Sequence, residues 1–232
     1  MILRAVLPEQ HLSPESKDVV KLGMGLLGTM TALLLGLLIA SAKSSFDTQR
    51  GGLAQLSANI IMLDRTLTHY GPEAKEVREM LRASVADMLK NAWPHENGGG
   101  TPVAKSGTER RYEGLYEKIQ TLTPKNDAQR TIQAQALKTA VDCGQLRWTL
   151  FSEKGSSIPF PFLVVVVSWL TLLFMSFSLF APPNPTVVAT LLICALAVSS
   201  AIFLILELDQ PHAGIIQISS APLHEALAML GR

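Results

Sequence analysis

Gly28, Ala32, Gly36 and Ala40 fall four residues apart inside an apolar stretch, with Thr29 and Ser41 beside them. On a helix that spacing draws one stripe of small side chains down successive turns. The chemistry open to such a stripe is contact rather than bond making. In lipid it lets a second helix come close, or it walls a narrow passage, with the two hydroxyls able to hydrogen-bond across helices. Packing inside one subunit would use the same stripe equally well.

Nothing else in the chain is arranged for catalysis. His11, His69, His95, His212 and His224 are scattered, and His-Glu-x-x-His, Gly-x-Ser-x-Gly and paired-Cys motifs are missing. Glu73, Glu76 and Glu79 alternate with Lys75, Arg78 and Arg82, the pattern of a solvated helix face. Gly98-Gly-Gly100 followed by Lys105 and Ser106 lacks the Walker spacing of a phosphate loop. Cys143 and Cys194 can build neither a disulfide framework nor a metal site and read as packing residues. The expectation is a protein that is not an enzyme and takes no metal or cofactor. A net charge of +1 offers no surface for nucleic acid.

The elements that must position the stripe belong to a membrane. Gly155 to Leu206 is a run of 52 residues without a charged side chain, broken by Ala181-Pro-Pro-Asn-Pro185. A helix needs about 20 apolar residues to cross a bilayer. The run therefore holds two crossings, 158–180 and 186–206, and the stripe lies in a third, 22–42. Ala40-Ser-Ala42 resembles a signal-peptide cleavage site. However, the apolar stretch exceeds the roughly 7–15 residues of such a leader, and Glu9, Glu15 and Asp18 precede it. Membrane-proximal Lys43, Arg50, Arg147 and Lys154 outnumber Lys17 and Lys21 on the other side, and the proline turn carries no cation. The positive-inside rule thus expects residues 43–154 and the tail in the cytoplasm, with the chain multi-pass in the cell (inner) membrane. No span contains an ionisable residue, which disfavours proton relays and coupled transport. Passive ion passage remains open, with Ser168, Thr171, Ser176, Ser199 and Ser200 as candidate hydroxyls.

Residues 43–154 hold 16 of the 20 Lys/Arg and 13 of the 19 Asp/Glu, and they read as helices. Leu53, Leu56, Ile60, Leu63, Leu67 and Tyr70 step by three and four, the seam of a coiled-coil-like contact, with Gly51-Gly52 a weak point and Gly71-Pro72 the end. A second helix, 73–92, turns Val77, Leu81, Val85 and Met88 inward and stops at Trp93-Pro94. Residues 95–108 read as a flexible loop. The third helix places Tyr112, Leu115, Ile119 and Leu122 on one face. Thr123-Pro124 is expected to cap a fourth, which buries Ile132, Ala136, Thr139, Cys143, Leu146 and Leu150. The fold class expected is all-α: three membrane helices with a cytosolic four-helix bundle, or two helical hairpins, continuous with them.

The tail 207–232 turns at Pro211 and Gly214, extends through Ile215–Ile218, and can use Ser220 to cap a last helix carrying Leu223, Leu227 and Leu230. With the polar helical middle and the segment Leu34-Leu-Gly-Leu-Leu-Ile-Ala-Ser-Ala-Lys-Ser-Ser-Phe-Asp47, this tail resembles the bestrophin-like membrane domain family. That bacterial and plant group has no assigned function. The resemblance runs from about Val20 to Leu230, and its most specific part is Glu207, Asp209, Pro211, Gly214, Ser219 and Pro222. It implies a relative of bestrophins, which are oligomeric anion channels, and so a homo-oligomer in the lipid bilayer with anions as the conducted species. It also implies one further span upstream. Residues 1–21 open with Met1-Ile-Leu-Arg-Ala-Val-Leu, which reads like the end of such a helix, so that a full-length form would have four spans and both termini on the cytoplasmic side. Some bestrophins bind calcium beyond their last crossing, where this chain has Glu207 and Asp209. Two carboxylates fall far short of the roughly 6–8 oxygens calcium takes, and capping or turn-forming roles are expected instead. The competing expectation is a membrane-anchored scaffold or sensor whose bundle binds a partner protein.

Overall fold

A computed structural model describes residues 14–93, 105–152, 159–180, 184–210 and 214–231, and their regular structure is entirely helical. The helices are α1 (Pro14–Tyr70), α2 (Lys75–Ala92), α3 (Lys105–Gln120), α4 (Asp127–Ser152), α5 (Phe160–Phe180), α6 (Pro185–Leu208) and α7 (Ala221–Met229). The chain divides into two compact units: one of residues 1–46 and 156–210, the other of 47–155 and 211–232. Three helices (α1, α5 and α6) are long and apolar enough to cross a membrane, which makes this a multi-pass membrane protein. The expected upstream helix end, the loop over 95–104, the junction 153–158 and the turn at Ala181-Pro-Pro183 lie outside the described residues.

The second unit is built on the seam foreseen in α1. Leu53, Leu56, Ile60, Leu63, Leu67 and Tyr70 are all buried. Asp64 of α1 is bonded to Arg78 of α2, α2 packs on α3, and α3 packs on α4. Two contacts return α4 to α1: Gln129 Nε2 donates to the Tyr70 carbonyl at 2.9 Å, and Leu150 lies against Gly52. These contacts run in opposite order along the two helices, so α1 and α4 are antiparallel and a four-helix bundle closes. Gly52 is thereby explained. A Cβ there would meet Leu150 Cδ2 at 3.0 Å, so glycine allows the close approach, and α1 runs through the pair without a break.

Three local expectations are corrected. The second helix opens with a 3-10 turn, Pro72–Ala74, before α2 begins at Lys75, because Pro72 follows the non-helical Gly71 and supplies a fixed φ but no N–H. Thr123-Pro124 does not start α4. Asn126 Oδ1 accepts from the Gln129 N–H at 2.8 Å while Gln129 Oε1 accepts from the Lys125 N–H at 2.7 Å, two bonds that resemble a capping box and win the helix start. The last residues of the expected loop, 105–108, form the opening turn of α3, drawn into the helix by the good helix formers that follow at Glu109-Arg-Arg111.

Gly71 turns the chain between α1 and α2 at φ 124 and ψ −172, a conformation nearly closed to residues with a Cβ. Beside it, the Lys125 ammonium bonds Glu73 and holds that carboxyl below its ordinary range. Gly71→Ala is expected to lower stability by about 2 kcal/mol, measured by thermal unfolding of the detergent-purified protein. An unchanged midpoint would show that the turn relaxes freely.

Cys143, on the inward face of α4, is buried, and desolvation assisted by the Asp142 charge pushes its thiol up to about 12 from 9.0. The unfolded chain loses this proton near the ordinary value, whereas the folded chain keeps it to much higher pH. Stability must therefore fall above pH ~9, by about 1.4 kcal/mol per pH unit. Alkaline unfolding curves of wild type and Cys143→Ala should diverge in that window, with the variant the flatter of the two; parallel curves would refute the assignment.

Candidate functional site

Each face of α1 within the first unit has its own character. Thr31, Leu38 and Ala42 are buried, and successive residues turn by about 100°, which puts these three on one side of the helix. Val19, Leu22, Leu26, Met30, Leu33 and Leu37 form a second side of large apolar residues, exposed up to 77% at Leu22. Between these lies the small-residue stripe. Gly28 is half-buried, while Thr29, Ala32, Gly36 and Ala40 are exposed, and no atom comes within 4 Å of a Cβ placed at Gly28 or Gly36. Within the described residues, packing inside the subunit is served by another side of this helix. The chain uses Thr31, Leu38 and Ala42 for that purpose and leaves the stripe open.

Hydroxyl chemistry along the spans is directed inward. Thr29 Oγ1 donates to the Leu26 carbonyl at 2.8 Å and Thr31 Oγ1 to Leu27 at 2.7 Å. Ser168, Thr171 and Ser200 likewise donate to carbonyls four residues back, at 2.7, 2.7 and 2.8 Å. A hydroxyl engaged this way presents its oxygen outward. To meet an anion it must rotate and give up the backbone bond, at a cost of about 1 kcal/mol.

The tail residues that the structure describes take up turn and capping positions. Asp209 caps the C-terminus of α6, its N–H bonded to the Ile205 carbonyl at 3.2 Å, and Glu207 lies in the last turn before it. Gly214 turns at φ 100, and Pro222 sits in the first turn of α7. Pro211 lies outside the described residues. The expected capping oxygen is displaced by one position. Ser219 Oγ accepts from the Ala221 N–H at 3.2 Å, because Ser220 holds helical backbone angles at the N-cap and is itself buried. Among the described residues no three His, Cys, Asp or Glu side chains gather as a metal site.

Trp93 ends α2 as its place before Pro94 suggests, but its long-range contacts escaped sequence reasoning. Its buried ring donates Nε1–H to the Ile218 carbonyl at 2.9 Å and meets Phe151 edge-on, with centroids 6.5 Å apart and planes at 84°. A tryptophan ahead of a proline signals only a helix end, and its acceptor lies 125 positions along the chain.

A family model described as the bestrophin-like domain matches residues 1–223. No match is found among curated proteins. Among solved structures, a bacterial bestrophin homolog from Klebsiella pneumoniae, determined by Zn-SAD phasing, superposes with a TM-score of 0.68 at 15% identity, covering 90% of this chain and 85% of that one. A point variant of that homolog gives 0.69 at 15% identity with the same coverage. A point variant of a crystallised membrane protein gives 0.65 at 16% identity, covering 100% of this chain and 97% of that one.

Proposed function

The chain belongs to the bestrophin-like domain family, and on that footing we propose that it assembles with copies of itself into a pore through which small anions of the chloride type pass passively. The observation that carries this reading is the open stripe Gly28, Thr29, Ala32, Gly36 and Ala40. Lipid is matched by the large apolar side of α1, whose Leu22, Leu26, Leu33 and Leu37 fill irregular hydrocarbon well. Small residues make a poor lipid surface and a good helix-contact surface, so the stripe faces a neighbouring subunit or the assembly axis.

Passage is passive because residues 22–42 and 158–206 hold no acidic, basic or histidine side chain to bind and release a proton or a coupling ion. The anion preference follows from the family resemblance. Inward-donating hydroxyls fit weak, transient contact with the ion rather than tight coordination. Residues 43–154 and the tail face the cytoplasm in this scheme, with the chain multi-pass in the cell membrane.

Purified protein in chloride-loaded liposomes should release chloride when a counter-current is supplied, with no requirement for a pH gradient. A folded oligomer that passes no chloride would overturn the proposal. Capture of a specific partner by the bundle would then favour the scaffold function.

A further inference from the structure

Trp93 holds together two stretches of chain that are far apart in sequence. It ends α2, with its N–H on the Leu89 carbonyl at 3.0 Å. Its buried ring meets Phe151 in the last turn of α4 and bonds the Ile218 carbonyl in the tail. An indole N–H removed from water requires an acceptor, and here the tail backbone supplies it. Beyond Ile218 the chain enters α7, whose nine residues are too few to stay helical alone. Leu223, Ala226 and Leu230 are buried and α7 packs on α2, so order in the tail depends on this docking. Along the sequence, Phe151 leads into α5 and Ile218 follows α6. One ring therefore grips the chain on its way into the two-span hairpin and again on its way out.

We propose that Trp93 is a clamp that ties the end of α4 to the tail segment 214–231, so that these two stretches, which flank the hairpin in sequence, loosen together. With the ring seated, the last turn of α4 and the tail segment 214–231 move as one. With it unseated, each moves separately. The clamp stands independently of ion conduction.

Hydrogen–deuterium exchange on the detergent-purified full chain tests it. Trp93→Phe keeps a smaller aromatic ring and loses the indole N–H, and should speed exchange over 214–231 roughly tenfold. Phe151→Leu leaves the tail bond untouched, yet should speed tail exchange by about threefold or more, because the seat of the ring is lost. Leu223→Ala should in turn loosen the last turn of α4, since coupling is reciprocal. Wild-type tail exchange in Phe151→Leu, with only α4 loosened, would overturn the clamp and leave two separate contacts. Unchanged tail exchange in Trp93→Phe would overturn it as well. Should Trp93→Phe not fold, the tail exchange of Phe151→Leu decides alone.

Discussion

Arg78→Met is expected to cost about 3 kcal/mol of folding stability, more than deleting both members of its ion pair together. Arg78 Nε and Nη2 meet Asp64 Oδ1 and Oδ2 at 2.7 and 3.0 Å, a fork on a carboxylate. The Asp64 side chain is 5% exposed, so removing its partner strands a charge where water cannot reach it. The hydrogen bond to Asp64 raises Arg78 above its ordinary value, against the pull of desolvation. Arg78→Lys should fall between, at about 1–2 kcal/mol, because a point charge cannot make the fork. The double replacement Asp64→Leu with Arg78→Met should recover most of the loss, since an apolar pair needs no desolvation. Denaturant unfolding followed by tryptophan fluorescence gives the four corners of the cycle. A single Arg78→Met variant within experimental error of wild type would show that Asp64 finds another partner.

Gly36→Leu should leave the single chain intact and break its assembly. No atom lies within 4 Å of a Cβ placed at Gly36 and the position is exposed, so the described residues leave room for the new side chain to start outward. Between subunits a leucine would push the facing helix away, and a loss of about 1.4 kcal/mol per contact is already a tenfold change in association. Chloride flux from liposomes should fall at least roughly tenfold, and the oligomer should dissociate on size exclusion. Two companions fix the interpretation. Leu33→Ala, on the lipid side, should spare both assembly and flux. Ala42→Leu, at a fully buried position, should damage the fold itself. If Gly36→Leu conducts and assembles like wild type, the stripe is not the contact and the proposed pore loses its support.

The parts legible in the sequence were those set by periodicity. The three-and-four steps from Leu53 to Tyr70, the inward positions of α2 and the uncharged spans all report which side of a helix is removed from water, and that is written locally. Long-range pairing is not. Arg78 looked like one cation on a solvated face, because nothing nearby in sequence shows that Asp64 is buried opposite it. Glu73 and Glu76 on the same face fit the solvated pattern better. Their pairs with Lys125 and Lys118 are largely open to solvent. Caps were legible in kind and misplaced in position: the Asn126 oxygen on the Gln129 N–H outweighed a Thr-Pro start, and Ser219 stood in for Ser220. The stripe itself was read from spacing alone, but that Thr31, Leu38 and Ala42 are the buried positions of this part of α1 became visible only in the fold.

The start of α6 bears on how the protein is made. Asn184 Oδ1 accepts from the Thr186 N–H at 3.1 Å, and Pro185 brings no N–H, so two of the donors left open at a helix start are already answered within the chain. No residue from Gly155 to Leu206 is charged. In the proposed orientation, with residues 43–154 and the tail in the cytoplasm, this tip is the part of the hairpin that must be carried across the bilayer during synthesis. A tip that needs little water and bears no charge crosses at low cost, so α5 and α6 can enter the membrane as a pair once α6 has left the ribosome.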